Sequence, residues 1–166
     1  MTQSANFPLL AGTAPLYPGD AVAALILVEG SGYLMQLRDS RPDIWYPGHW
    51  GLFGGGVEPG EDPLMALARE LKEELELELH APEFFAEFHF DLRELKLERY
   101  FRRFYIVPIS HAVATRLVLH EGAEMQIFAG ESILREPRVT PYDSFALFLH
   151  YSRHRLAPKG ACGIRN

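Results

Sequence analysis

The chain is predicted to be a single α/β domain, a mixed β-sheet with helices packed on its faces. Three observations predict this: strand-length apolar and aromatic runs recur along the sequence, two segments carry capped helical patterns, and no linker rich in Gly, Ser or Pro divides the 166 residues. That length suits one hydrophobic core, so one domain is expected over 1–166, with an irregular N-terminal arm over 1–19 and a short tail over 157–166.

Prolines 8, 15 and 18 and two glycines mark the arm. Ala21 to Val28 is a continuous apolar run, hence a strand buried on both faces, and Tyr33 to Leu37 follows after a Glu29-Gly30-Ser31-Gly32 turn. Asp39 to His49, with Pro42, Pro47 and Gly48, reads as a loop, and Trp50 to Phe53 as a short strand entering Gly54-Gly55-Gly56. Asp62-Pro63 supplies an N-cap and a first-position proline for a helix to about Glu74, with Leu64, Leu67, Ala68, Leu71 and Leu75 as its apolar stripe. From Leu75 to Leu79 strict alternation suggests extended chain. Glu83 to Asp91, with Phe84, Ala86, Phe88 and Phe90 on one face, and Glu98 to Pro108 are read as a hairpin joined by Leu92 to Leu97. Met125 to Phe128 is a further strand, and Thr140-Pro141-Tyr142-Asp143 starts a closing helix to about Arg155.

Sixteen Lys and Arg against 22 Asp and Glu give a net charge of −6, which argues against non-specific nucleic-acid binding. The apolar run at Ala21 is far too short to span a bilayer, and the first ten residues lack the basic start of a secretory signal. With one cysteine, Cys162, no intrachain disulfide is available, so a soluble cytoplasmic protein without membrane or nucleic-acid partners is expected.

The surplus charge is local: Glu58 to Glu78 holds eight acids and two bases, and the rest of the chain is formally balanced. At 100° per residue, Glu70, Glu73 and Glu74 share a sector of about 100° on the predicted helix, set nearly opposite the leucine stripe. Three such carboxylates repel one another, and Arg69 alone cannot neutralise them. A hard divalent cation can, because Mg²⁺ takes carboxylate oxygens, keeps waters and is shared with substrate phosphates. Mg²⁺, with Mn²⁺ as the alternative, is therefore the expected cofactor. A bare E-x-x-E-E would more often be a solvated helix face. Here Gly55, Glu61, Arg69, Glu70, Glu73 and Glu74 together satisfy G-x5-E-x7-R-E-x-x-E-E. Six fixed positions coincide by chance in roughly one in ten million starts.

With these residues, and with Leu71 and Leu77 at the two aliphatic positions, the chain resembles the Nudix hydrolases; Trp50-Gly51-Leu52-Phe53-Gly54-Gly55 is similar to the family's W-x-L-P-G-G. Phe53 stands for the usual proline and Glu76 for the box's final glycine. The resemblance implies an α/β/α sandwich and metal-dependent hydrolysis of a nucleoside diphosphate linked to another group, by water attack on phosphorus. It implies Glu70, Glu73, Glu74 and the Gly55 carbonyl as metal ligands, Arg69 as the residue orienting the glutamates, and Glu61 as the brace of loop against helix. The general base is then a box glutamate such as Glu73, or a later-loop acid, Glu121 or Glu124. A nucleoside triphosphate or a nucleotide sugar is the expected small-molecule substrate. The alternative is a non-catalytic nucleotide sensor on the same fold.

Outside the box, Trp45 can stack on a base, and Arg38, Arg41 and Arg102 are candidates for substrate contact. Arg102 and Arg103 should point to opposite faces of their strand, so at most one reaches the substrate. The histidines show no paired metal spacing. The many aromatics of the hairpin are explained by a larger core or by a homodimer interface.

Overall fold

The computed structural model describes residues 18–156. Most of the expected arm and the whole of the tail with Cys162 lie outside that range. The elements are β1 (Ala21–Val28), β2 (Gly32–Leu37), β3 (Trp50–Gly51), α1 (Pro63–Leu75), β4 (Glu83–Asp91), β5 (Arg99–Ile109), α2 (His111–Ala114), β6 (Glu124–Phe128), α3 (Gly130–Ile133) and α4 (Pro141–Leu156). One sheet runs β3-β2-β1-β5-β4, with β6 paired to β2. β1 and β5 are parallel, from Ala21 opposite Arg102 to Val28 opposite Ile109, and the other pairs are antiparallel. The expected mixed sheet flanked by helices is what forms. No helix among the described residues is long and apolar enough to cross a membrane.

Alternation along β1 divides the core. Val22, Ala24, Ile26 and Val28 pack with Leu67, Leu71 and Leu75 of α1, while Ala23 and Leu25 pack with Phe104 of β5 and Ala146 and Leu147 of α4. β1 is also forked. Its C-terminal end pairs with β2, whereas Val22 and Ala24 donate to the Gly55 and Phe53 carbonyls at 2.9 and 2.8 Å. The glycine loop is thereby an extension of the sheet.

α1 starts where its cap predicts. Asp62 Oδ1 accepts the Leu64 and Met65 N–H groups at 2.8 and 3.3 Å, and Pro63 occupies the first turn, where no intrahelical donor is needed. Its buried side, however, is rotated from the expected stripe: Ala66, Leu67, Leu71, Glu74 and Leu75 are buried and Leu64 is exposed. The acidic sector is therefore not opposite the core, because Glu74 turns inward to hydrogen-bond partners on the loop and on β2. Burying three leucines contributes about 5–9 kcal/mol, enough to offset the several kcal/mol of desolvating one carboxylate.

Three other expectations are corrected. The strand at Trp50 ends at Gly51, since Phe53 makes only an isolated bridge to Ala24. Leu75 to Leu79 forms no strand: Glu76 takes the left-handed conformation (φ 56°, ψ 22°), its N–H and that of Leu77 bond back to Lys72 and Leu71, and the alternation only delivers Leu77 and Leu79 to the core. A bulge between Phe84 and Ala86 shifts the face of β4, so Phe85 and Phe88 pack inward and Phe84 is exposed. The short α2 and α3 carry too few residues for a periodic signal.

Glu76 holds the left-handed position without a shift of the helix end, at the strain cost of a Cβ there. Its carboxylate recovers part of this by meeting His120 Nε2 at 2.8 Å on the surface. Glu76→Gly is expected to raise the unfolding free energy by about 0.5–1 kcal/mol in a urea titration, the relieved strain exceeding the exposed pair that is lost.

Candidate active site

Of the three consecutive glycines, Gly54 is required by backbone contact and Gly55 by the present position of the Glu70 side chain. A Cβ on Gly54 (φ +126°) would lie 2.4 Å from the Val22 carbonyl oxygen, and one on Gly55 would lie 2.5 Å from the Glu70 carboxylate. The loop thus passes directly between β1 and the acids of α1. The Gly55 carbonyl, already accepting from Val22, keeps a second lone pair.

Arg69 ties this assembly together. Its Nε and Nη2 donate to the two Glu61 carboxylate oxygens at 3.0 Å each, Nη2 also donates to the Gly56 carbonyl at 3.0 Å, and Nη1 donates to Glu70 at 2.8 Å. Glu73 lies 3.5 Å from Nη1. Glu61 closes the circuit by accepting the Glu58 N–H at 2.9 Å. These bonds hold the Glu61 carboxyl below the usual range, first through the Arg69 hydrogen bonds, and hold Arg69 further above its own.

Glu74 is only 4% exposed. It accepts the Gly54 N–H at 2.8 Å and Gln36 Nε2 at 3.1 Å. Burial nevertheless pushes its carboxyl up to about 8, against the lowering effect of these two bonds and with repulsion from Glu121 and Glu70 adding to the rise. Burial likewise raises Glu70, with Arg69 opposing and Glu73 and Glu121 adding. The cluster is an oxygen-donor set with more negative charge than its one arginine compensates. Among the described residues no three acidic, His or Cys side chains converge as a ready-made metal cage. Two inward carboxylates, a backbone carbonyl and a nearby loop acid fit an Mg²⁺ that retains waters and substrate oxygens, rather than a closed protein shell.

These acids line a cleft of about 660 Å³. Gly55, Glu70, Glu74 and Glu121 line it together with Arg38, Trp45 and Arg102. Backbone bonds from His120 N to Glu74 O (2.9 Å) and Val118 N to Leu75 O (3.3 Å) bring the Glu121 loop to the end of α1. Other predicted residues are placed elsewhere. Glu73 is largely exposed and is not part of the cleft lining, Arg41 pairs on the surface with Asp43, Glu124 begins β6 outside the cleft, and Arg103 is taken by Glu87 on β4. Sequence reasoning missed Gln36, Tyr100 and Asp143 as site residues and saw Tyr142 only as a helix-start residue. Gln36 had a signal, a polar side chain inside the otherwise apolar β2; the others are placed by sheet register and by the docking of α4.

The NUDIX domain profile matches residues 18–148, and the chain belongs to the Nudix family. It is 48% identical over 54 residues to nucleoside triphosphatase NudI of Escherichia coli, a match covering 32% of this chain and 37% of that protein. The chain thus spans little more than a third of that relative's length. The MutT protein of Methanosarcina mazei Go1 shares the fold with a TM-score of 0.68 at 22% identity, over 87% of this chain and all of the other. The NUDIX domain of Shewanella oneidensis NrtR, solved with ADP ribose, superposes with a TM-score of 0.61 at 17% identity over 95% of this chain and all of that one.

The raised Glu74 carboxyl has a consequence for stability without metal. Below about pH 4.5 the folded and unfolded states both hold its proton; between there and about 8 only the folded state does, so its contribution is lost as pH rises through that window. In EDTA, the unfolding free energy of the wild type is expected to fall over that interval relative to Glu74→Gln, as measured by urea titrations at stepped pH.

Proposed function

We propose that the protein is a metal-dependent hydrolase that cleaves a phosphoanhydride bond of a nucleoside triphosphate by water attack on phosphorus. The observation that carries this reading is that one cleft is lined by the acids Glu70, Glu74 and Glu121 together with Arg38 and the aromatics Trp45, Tyr46, Tyr100 and Tyr142. The NudI relative, a nucleoside triphosphatase, supports the triphosphate over a nucleotide sugar.

Mg²⁺, or Mn²⁺ in its place, is the proposed cofactor; Glu70, Glu74 and the Gly55 carbonyl would hold it, and the exposed Glu73 one turn along the same helix would add negative charge beside it. When bound, the cation neutralises phosphate charge and acidifies the attacking water. Glu121 is the proposed general base: it takes a proton as the water oxygen bonds to phosphorus and the bridging P–O bond breaks. Arg38 contributes positive charge toward the phosphates; its Nε donates to the Trp45 carbonyl at 2.8 Å, and it forms no ion pair among the described residues. Arg69 keeps Glu70 and the loop in register, and Glu61 keeps Arg69 in place.

A sensor is the second reading; the NrtR domain solved with ADP ribose supports nucleotide binding by this fold, which both readings share. The complete acidic set and the loop acid at the cleft favour hydrolysis, since binding alone has no use for a base. Glu121→Gln is expected to lower kcat by about 10²–10⁴-fold with KM nearly unchanged, and Glu70→Gln to weaken Mg²⁺ activation. Product analysis with Mg²⁺ checks both: nucleoside monophosphate plus pyrophosphate supports the reading, and binding without turnover supports the sensor.

A further inference from the structure

Asp143, in the first turn of α4, is 1% exposed and carries no role in the chemistry above. Four donors converge on it. Oδ2 accepts the Leu52 N–H at 3.0 Å and the Thr140 hydroxyl at 2.7 Å; Oδ1 accepts Arg102 Nε at 3.2 Å and Nη2 at 3.1 Å. Arg102 is held on its other side by Tyr142, whose ring centroid lies 4.3 Å from the guanidinium carbon. The side chain is 13% exposed and lines the cleft. Nη1 has no hydrogen-bond partner among the described residues, and no buried side-chain nitrogen there is left without one, so this group is not fully buried and is the free donor of a cleft-lining side chain.

The two arginines of the cleft are therefore chemically different. Arg38 keeps its full charge. Arg102 has its charge balanced by a buried carboxylate and its plane fixed, which leaves a directional N–H donor with little net attraction for an anion. Such a group suits a neutral acceptor, and an arginine can only donate. Among nucleobases the matching features are the carbonyl oxygens and the unprotonated ring nitrogens, whereas an exocyclic amine is a donor and offers nothing to it.

We infer that Arg102 is a specificity-determining residue that hydrogen-bonds a neutral acceptor of the substrate's base, a carbonyl oxygen or a ring nitrogen, and that Asp143 is the positioning residue that aims it. This rests on the reading of the cleft as a nucleoside triphosphate site. The same Asp143 carboxylate holds Leu52, two residues before Gly54, so recognition of the base and placement of the glycine loop share one anchor.

The test compares uridine triphosphate, adenosine triphosphate and base-free ribose 5-triphosphate, with Mg²⁺, on wild type, Arg102→Gln, Asp143→Asn and the double variant, with melting curves to correct for folded fraction. The wild type is expected to favour uridine triphosphate and adenosine triphosphate, each at least tenfold in kcat/KM, over ribose 5-triphosphate. Arg102→Gln should reduce the uridine-to-ribose ratio about tenfold, chiefly through KM. Asp143→Asn should reduce it similarly, with no further change when added to Arg102→Gln. Where Asp143→Asn does not fold, Arg102→Gln, which leaves Asp143 its other donors, decides the matter. An unchanged ratio in Arg102→Gln, or an equal loss on ribose triphosphate, overturns the inference while leaving the hydrolase reading intact. Absence of wild-type turnover on all three compounds overturns the hydrolase reading, and this inference with it.

Discussion

The approach of the glycine loop to the acidic side of α1 is the constraint on which the site depends. Two bonds set it from opposite directions: the sheet holds the loop through Val22 and the Gly55 carbonyl, and the helix holds it through Glu74 and the Gly54 N–H. Between them the backbone leaves no room for a side chain at Gly54, and one at Gly55 would displace the Glu70 carboxylate from the site. Arg69 and Glu61 brace the same approach from the solvent side. Core packing of α1 supplies the free energy that lets an acid be buried in this way, and the result is a carboxylate cluster whose natural complement is a cation.

The cleft has a division of labour that follows from the sheet. Parallel pairing of β1 with β5 sets Arg102 opposite Ala21, beside the start of β1 where the loop docks. Antiparallel pairing of β2 with β6 puts Leu37 opposite Glu124, which brings the preceding Glu121 loop back to the acids. Gly122 (φ +90°) makes that loop's turn against Gln36, where a Cβ would lie 2.9 Å from the amide oxygen. Acids and bases from five separate segments meet because the sheet brings strand ends together, not because they are near in sequence.

How much of this was legible in the sequence follows from the range of the interactions. The Asp62 cap, the loop glycines and the Glu61, Arg69 and Glu70 spacing lie within about twenty residues, and their geometry is governed by helical pitch and local sterics. Which way α1 turns is a tertiary question. The leucine pattern alone set Glu74 away from the core, and only Gln36 and the Gly54 N–H, neither visible as partners in sequence, explain why it turns inward. Asp143 looked like a helix-start acid and is a buried anchor for residues 41 and 91 positions away in the chain. The bulge that exposes Phe84 is similarly invisible, because one extra residue in a strand leaves the alternating pattern intact on either side.

Whether the loop and helix together bind a divalent cation is decided by following thermal unfolding of the wild type as MgCl₂ is added at constant ionic strength. A cation that binds the folded state alone stabilises it by about 2.7 kcal/mol at a hundredfold excess over Kd. The account predicts a saturable rise in Tm that NaCl does not reproduce and that Glu70→Gln diminishes. A Tm unmoved by Mg²⁺, or moved equally by NaCl, would contradict it.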